Sequence, residues 1–334
     1  MRGRTRAFAT LASVCILVLA AVLVAGSLSN SRQLLLDNAR LEGEVLVRAS
    51  TWKAVNDTLD LMKETWHADR QTFDGWYSAA SADLPAGVEL FPLSGRINLN
   101  TMTQAALQDS TLTGTLLNRS VAEFVAYRSA KGPFGRLSDY KDFFRPEALA
   151  SVYCVYSTFD VNTADETILE KTLSERTGDE AFAADASSRI GVFRAARQTI
   201  MDSDWDMIAG SKKDLLGDLV STSPEIDANS ASVDILEALL KDPDFKLEHA
   251  DSKLQSIVNL RSSRPLTEEM LRQVLGVGKT DPLVQYLGVR CRFVGGTIRR
   301  EATKFRFVVA LSYPTDDLSS VLPRLVAVGP AEDE

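Results

Sequence analysis

The sequence predicts an α+β protein: an N-terminal transmembrane and stem helix, then a small antiparallel sheet interrupted by a large helical domain. Three observations predict it. A long uncharged apolar run stands near the start of the chain. A five-residue motif recurs three times, each copy followed by helical periodicity. Strand-like runs flank that region, at 88–99 and at 289–311.

Residues 1–6 carry three arginines, Arg2, Arg4 and Arg6. Residues 7–28 (AFATLASVCILVLAAVLVAGSL) are uncharged. A run of about 20 apolar residues suits the hydrocarbon core of a bilayer. Arginines ahead of it predict a cytoplasmic N-terminus, one membrane pass and the rest of the chain on the far side. The rival reading is a cleaved signal peptide, with Ala25-Gly26-Ser27 as its small-residue site. The length of the run and the unbroken helical pattern after it favour a retained anchor.

Residues 29–96 read as the stem helix and the first strands. Leu34, Leu41, Val45, Trp52, Val55, Leu59, Met62 and Trp66 recur at helical spacings. Proline is absent before Pro85, so anchor and stem read either as one rod or as two helices. The stem's apolar face (Leu41, Val45, Trp52, Val55, Leu59) is expected to pack on partner helices or on the chain's own sheet. Gly75, Pro85 and Gly87 mark a turn-rich connector. The strand pattern that follows is broken at Ser94-Gly95.

The helical domain, 97–287, holds the repeats. They open with Ile97-Asn98-Leu99-Asn100-Thr101, Phe159-Asp160-Val161-Asn162-Thr163 and Glu225-Ile226-Asp227-Ala228-Asn229-Ser230. Thr101 with Gln104, and Thr163 with Glu166, fit capping boxes, and Ser230 fits a cap without a box. Each unit then reaches two apolar residues on one helix face, with an arginine at its edge. These are Val121, Phe124, Arg128; Ile190, Phe193, Arg197; and Leu254, Ile257, Arg261. The units are unequal in length, which predicts an irregular helical domain rather than a solenoid.

In 288–313, Gly295-Gly296 reads as the turn between two strands. Too few residues stand there for an independent sheet, so these strands are expected to pair with the 88–99 region across the helical insertion. Residues 314–334 read as a loose tail with an acidic end.

Composition narrows the chemistry. The 334-residue chain is 45% hydrophobic with a net charge of -8, which argues against bulk electrostatic affinity for nucleic acid. The two histidines, His67 and His249, lie far apart, and the three cysteines lack metal-ligand spacing. Gly278-Lys279-Thr280 is not a P-loop, because Gln273 stands where that motif needs glycine. No Gly-x-Ser-x-Gly elbow occurs. No enzyme activity, cofactor or small-molecule substrate is expected. Cys154 and Cys291 face an oxidising compartment on this topology, and a disulfide or two buried thiols both stay open.

The order of elements resembles the minor pseudopilin K family of the bacterial type II secretion system. Its most specific carriers are Arg96-Ile97-Asn98-Leu99-Asn100-Thr101, Tyr127-Arg128, Gly132-Pro133-Phe134-Gly135 and the C-terminal strands. The resemblance implies a pilin-like domain interrupted by a helical, SAM-like domain. It implies a place at the tip of a short periplasmic pseudopilus, bound to minor pseudopilins I and J and rooted in the inner membrane, in the service of protein secretion across the outer membrane. It also implies cleavage after a glycine ahead of the apolar run. Gly3 is that glycine here, although Arg4-Thr5-Arg6 follows it. Phe8 then falls at the fifth mature position, where most pseudopilins carry Glu and the K type is the exception. Calcium binding is a further family trait. Asp202, Asp204 and Asp206 alternate like a calcium loop's first half, but Met207 and Lys213 replace its Gly and Glu, so a solvated acidic turn is the preferred reading.

A second resemblance is to helix-hairpin-helix modules of membrane-anchored DNA receptors used in competence. Those modules hold phosphate on backbone N–H groups of a Gly-x-Gly hairpin. The first unit offers Leu112-Thr113-Gly114-Thr115, without the second glycine. Gly276-Val277-Gly278 has the form but follows the last helical run. The acidic chain favours a scaffold without nucleic-acid binding.

Overall fold

A computed structural model describes residues 41–67, 72–101, 119–134, 136–155, 159–196, 198–217, 219–222, 224, 226–242, 245–279, 281–300, 303–313 and 321–330. In chain order it comprises α1 (41–65), α2 (Phe73–Ala80), β1 (Val88–Pro92), β2 (Ile97–Asn98), α3 (Val121–Lys131), α4 (Pro146–Ser151), β3 (Tyr153–Cys154) and β4 (Phe159–Asp160). Next come α5 (Glu166–Thr177), α6 (Glu180–Ala195), α7 (Asp202–Ala209), α8 (Lys213–Leu216), β5 (Val220–Ser221), β6 (Ile226–Asp227), α9 (Val233–Leu240), α10 (Ala250–Ser263) and α11 (Glu268–Leu275). The last elements are α12 (Pro282–Tyr286), β7 (Leu287–Gly288), β8 (Phe293–Arg300), β9 (Thr303–Ser312) and β10 (Leu322–Pro330).

The protein is α+β, with a four-stranded antiparallel sheet in the order β1-β8-β9-β10. β1 meets β8 with Val88 opposite Ile298 and Pro92 opposite Val294, so the first strand pairs across the whole helical region. Three two-residue parallel bridges stand inside that region: β2 with β3, β4 with β5, and β6 with β7. Units one and three share a core that includes Phe124, Tyr140, Tyr153, Ile235 and Ile257. Unit two has its own, including Ile168, Ile190, Trp205 and Leu216. Leu93, Cys154, Phe293, Val308 and Ala310 pack together against the sheet.

Two expectations about the C-terminal strands are corrected. Gly295-Gly296 is not a turn but lies inside β8. Its neighbours explain why. A Cβ on Gly295 would stand 2.3 Å from the Phe91 ring, and one on Gly296 would stand 2.1 Å from the Phe307 ring. Phe91 is directly opposite Gly295, and Phe307 directly opposite Gly296. The paired glycines clear space for two aromatic rings from the strands on either side. Likewise 314–334 is not all loose tail. Leu322–Pro330 forms the edge strand β10, with a register shift between Leu325 and Ala327. An edge position tolerates Pro323, which has no N–H to give to a further strand.

The chain divides into compact units Met1–Ala54 and Val55–Glu334. In the first, Leu41, Val45 and Trp52 are 58%, 63% and 48% exposed, so these members of the expected stem face project into solvent. In the second, Val55 and Met62 are buried and Leu59 is half-buried. The apolar run 7–28 and Gly3 lie outside the described residues. Among the described residues no helix is long and apolar enough to cross a membrane.

The two strand glycines give a test. Gly296→Ala should destabilise the protein by about 3 kcal/mol through overpacking. Gly191→Ala, in mid-helix with open space around it, should be neutral or stabilise by up to about 1 kcal/mol. Urea unfolding of both variants measures the difference.

Candidate functional site

The repeated motif performs the same task three times. After each two-residue bridge the chain turns, and the side chain of Asn98, Asp160 or Asp227 accepts from the backbone two residues on. The distances are 3.1 Å from Asn100 N–H, 3.0 Å from Asn162 N–H and 2.9 Å from Asn229 N–H. These are Asx turns, which these residue types favour.

The second asparagine then reaches across its unit. Asn100 accepts from Phe134 N–H at 3.0 Å and donates to the carbonyls of Phe134 (2.8 Å) and Val155 (3.1 Å). Asn162 accepts from Ile200 N–H at 2.8 Å and donates to Ile200 and Thr222, both at 3.2 Å. Asn229 accepts from Leu266 N–H at 2.8 Å and donates to Leu266 (3.4 Å) and Val289 (2.9 Å). Val155, Thr222 and Val289 each follow the unit's closing strand directly. One amide thus locks a loop and a strand end to the opening motif. In the first unit Tyr140 also donates to Asn100 at 2.7 Å.

An arginine completes each clamp by donating to the carbonyl of the residue before that asparagine. Arg128 reaches Leu99 at 2.9 Å, and Arg261 reaches Ala228 at 2.9 Å and Ala231 at 2.6 Å. In the second unit the donor is Arg194, which reaches Val161 at 3.0 and 2.7 Å. Arg197, the arginine expected at the edge of the second unit's helix face, lies outside the described residues. The correct frame is Ile190 to Arg194, matching Phe124 to Arg128 and Ile257 to Arg261. Ile190, Phe124 and Ile257 are all fully buried, whereas Phe193 is partly buried. Arg128 is itself buried rather than at the edge of its helix face, and it also pairs with Asp165 at 3.2 Å.

The expected helix caps are corrected too. Thr163 donates to Asp160 at 3.1 Å and Ser230 to Asp227, so both hydroxyls turn back into the Asx turn. The caps come two residues later, at Asp165 and Ser232. Thr101 donates to the Asn98 carbonyl at 3.4 Å, and the helix start that it and Gln104 are expected to cap lies outside the described residues. A capping box does form, at Ser120 and Glu123.

Asp202, Asp204 and Asp206 do not form a loop of alternating ligands. They occupy the first turns of α7 and point to separate partners: Thr222, the Met201 N–H at 3.0 Å, and Lys213 at 2.7 Å. Among the described residues no group of three His, Cys, Asp or Glu is placed to hold a metal ion. Cys154 and Cys291 are separate buried thiols, not a disulfide. Gly276-Val277-Gly278 lies between two helices after all. Gly276 ends α11 at φ +67, and Asp281 caps the five-residue α12. The stretch around Gly114 lies outside the described residues.

The backbone partners of the clamps are Phe134, which stands in the Gly132–Gly135 stretch that carries the resemblance, and Ile200 and Leu266, which no sequence motif marks. Pro133 and Pro265 precede two of them and signal an ordered turn, but Thr199 holds that place in the second unit.

The clamps carry a pH dependence. Burial raises the Asp160 carboxyl to about 7, against its hydrogen bonds from Asn162 and Thr163 and the charges of Arg194 and Arg292. Burial likewise raises Asp227 to about 6, against Ser230, Asn229 and Arg261. The folded state therefore holds these protons more tightly than the unfolded chain. Their contribution to stability is full below a pH of about 4 and is lost as pH rises through about 6 and 7. Urea unfolding at about pH 5 and pH 8 should show stability falling, and Asp160→Asn should shrink the fall by about 1–2 kcal/mol. The first unit already carries an asparagine, Asn98, at this place. An unchanged pH slope would count against buried titration at Asp160.

Comparison with protein-family models and with curated proteins finds no match for this chain. The geometry itself spends the motif's polar groups on the protein's own backbone, and what it does chemically is hold a fold.

Proposed function

We propose that the chain is a structural subunit of a secretion apparatus, a K-type minor pseudopilin that caps the tip of the type II pseudopilus. On this reading residues 7–28 anchor it in the inner membrane and the remainder stands in the periplasm. One observation carries the reading. A helix leads into an antiparallel sheet whose first strand, β1, is parted from its last three by a helical domain. That order suits a subunit whose N-terminal helix packs into a shaft while a bulky insertion sits above it. The exposed Leu41, Val45, Leu46 and Trp52 offer an apolar helix surface for neighbouring subunits.

A membrane-anchored nucleic-acid receptor is the second reading, favoured by the placement of Gly276-Val277-Gly278 between α11 and α12. Against it stands the net charge of -8.

Affinity capture of the full chain with I-like and J-like minor pseudopilins from the same genome separates the two. A stable ternary complex is the expected result. Failure to join, in conditions where I and J bind each other, would overturn the first reading. A gel shift with duplex DNA that weakens steeply with salt would support the second.

A further inference from the structure

The second and third units leave a cleft of about 810 Å³ between them, within the size range of ligand sites. Four cations line it: Arg272, Lys279, Arg290 and Arg292. None of the four forms an ion pair with a carboxylate among the described residues. Arg290 lies over the Tyr313 ring at 5.5 Å. Arg292 is held most firmly. Its backbone N–H donates to Ser94 at 2.7 Å, and its carbonyl accepts from Leu311 N–H at 2.7 Å. Its guanidinium donates to Ser221, yet its Nε is buried with no acceptor. Asp160 acts on it through space, but that carboxylate already accepts from Asn162 and Thr163. That Nε is closed off from a ligand, so a carboxylate in the cleft would meet the terminal nitrogens of the firmly held guanidinium, whose planar geometry suits it.

We propose that this cleft binds an extended peptide segment, with a carboxylate of that segment seated on Arg292. The rest of the lining selects this class of partner. Asp202, Asp204 and Glu268 also face the cleft, so a polyanion such as nucleic acid would meet three carboxylates along with the four cations. A polypeptide, which carries both signs and apolar side chains, meets complementary groups instead. Phe193, Leu287 and Val289 supply apolar wall for the side chains beside the carboxylate. The proposal stands apart from the pseudopilin reading, since it needs neither a membrane nor the subunits I and J.

The test uses the full chain in detergent micelles and two peptide pools. One holds random acetylated hexapeptides with a free C-terminal carboxylate. The other is the same pool amidated and without Asp or Glu. Equilibrium dialysis with mass spectrometry should show the acid pool retained about tenfold more strongly, a preference worth about 1.4 kcal/mol. Arg292→Gln should abolish that preference, and Arg272→Gln should reduce it. Arg272 is half-buried on the surface helix α11, so its variant carries the test where Arg292→Gln fails to fold. Equal retention of the two pools would overturn the proposal. So would a preference unchanged in both variants, or displacement of the peptides by a single-stranded oligonucleotide.

Discussion

An asparagine side chain carries the donor and acceptor of a peptide group, and this fold uses three of them as backbone. Each helical unit opens and closes on a parallel bridge of two residues. So short a pairing cannot hold a unit together. Asn100, Asn162 and Asn229 continue it sideways, exchanging both a donor and an acceptor with Phe134, Ile200 and Leu266. Aspartate would offer no donor to those carbonyls, and glutamine would place the amide one methylene too far. Each hydrogen bond adds about 1 kcal/mol net, but a buried partner left unsatisfied costs about 1–3 kcal/mol. The clamp therefore matters most through the penalty for removing it.

The clamps also tie the units to each other and to the sheet. Asp165 N–H donates to the Thr101 carbonyl at 3.1 Å, so the second unit's helix begins on the first unit's motif. Arg128 serves both, through Leu99 and Asp165. Where the sheet hands over to the helical domain, Ser94 accepts from the N–H groups of Arg292 and Phe293 at 2.7 and 2.8 Å. Its carbonyl takes the Asp227 N–H at 2.8 Å. A Cβ on neighbouring Gly95 would stand 2.5 Å from the Ser230 carbonyl oxygen, so only glycine lets this crossing close. The third clamp and the start of β8 are thus one joint.

Much of this was legible because it depends on local chemistry. The Asx and hydroxyl residues of the motif are visible as types, and the β-branched and aromatic residues of 88–92 and 289–311 mark strands. What stayed hidden depends on partners distant in sequence. Phe193 and Arg197 have the same spacing as Ile190 and Arg194, and only burial distinguishes the frames. Gly295-Gly296 has the composition of a turn until Phe91 and Phe307 are placed opposite. Thr163 looks like a helix cap because the Asp160 carboxylate that takes its hydroxyl is itself buried by the fold. Residues 322–330 look loose because their proline and glycine content hides a strand that an edge position tolerates.

Native-state hydrogen exchange at Phe134, Ile200 and Leu266 probes the clamps most directly. These three amides sit in loops, outside every helix and strand, and donate to an asparagine side chain. They are predicted to exchange as slowly as the amides of β8 and β9, through large-scale opening alone. Exchange at the rate of exposed loops would show that the side-chain amides do not hold the units, and would contradict the account.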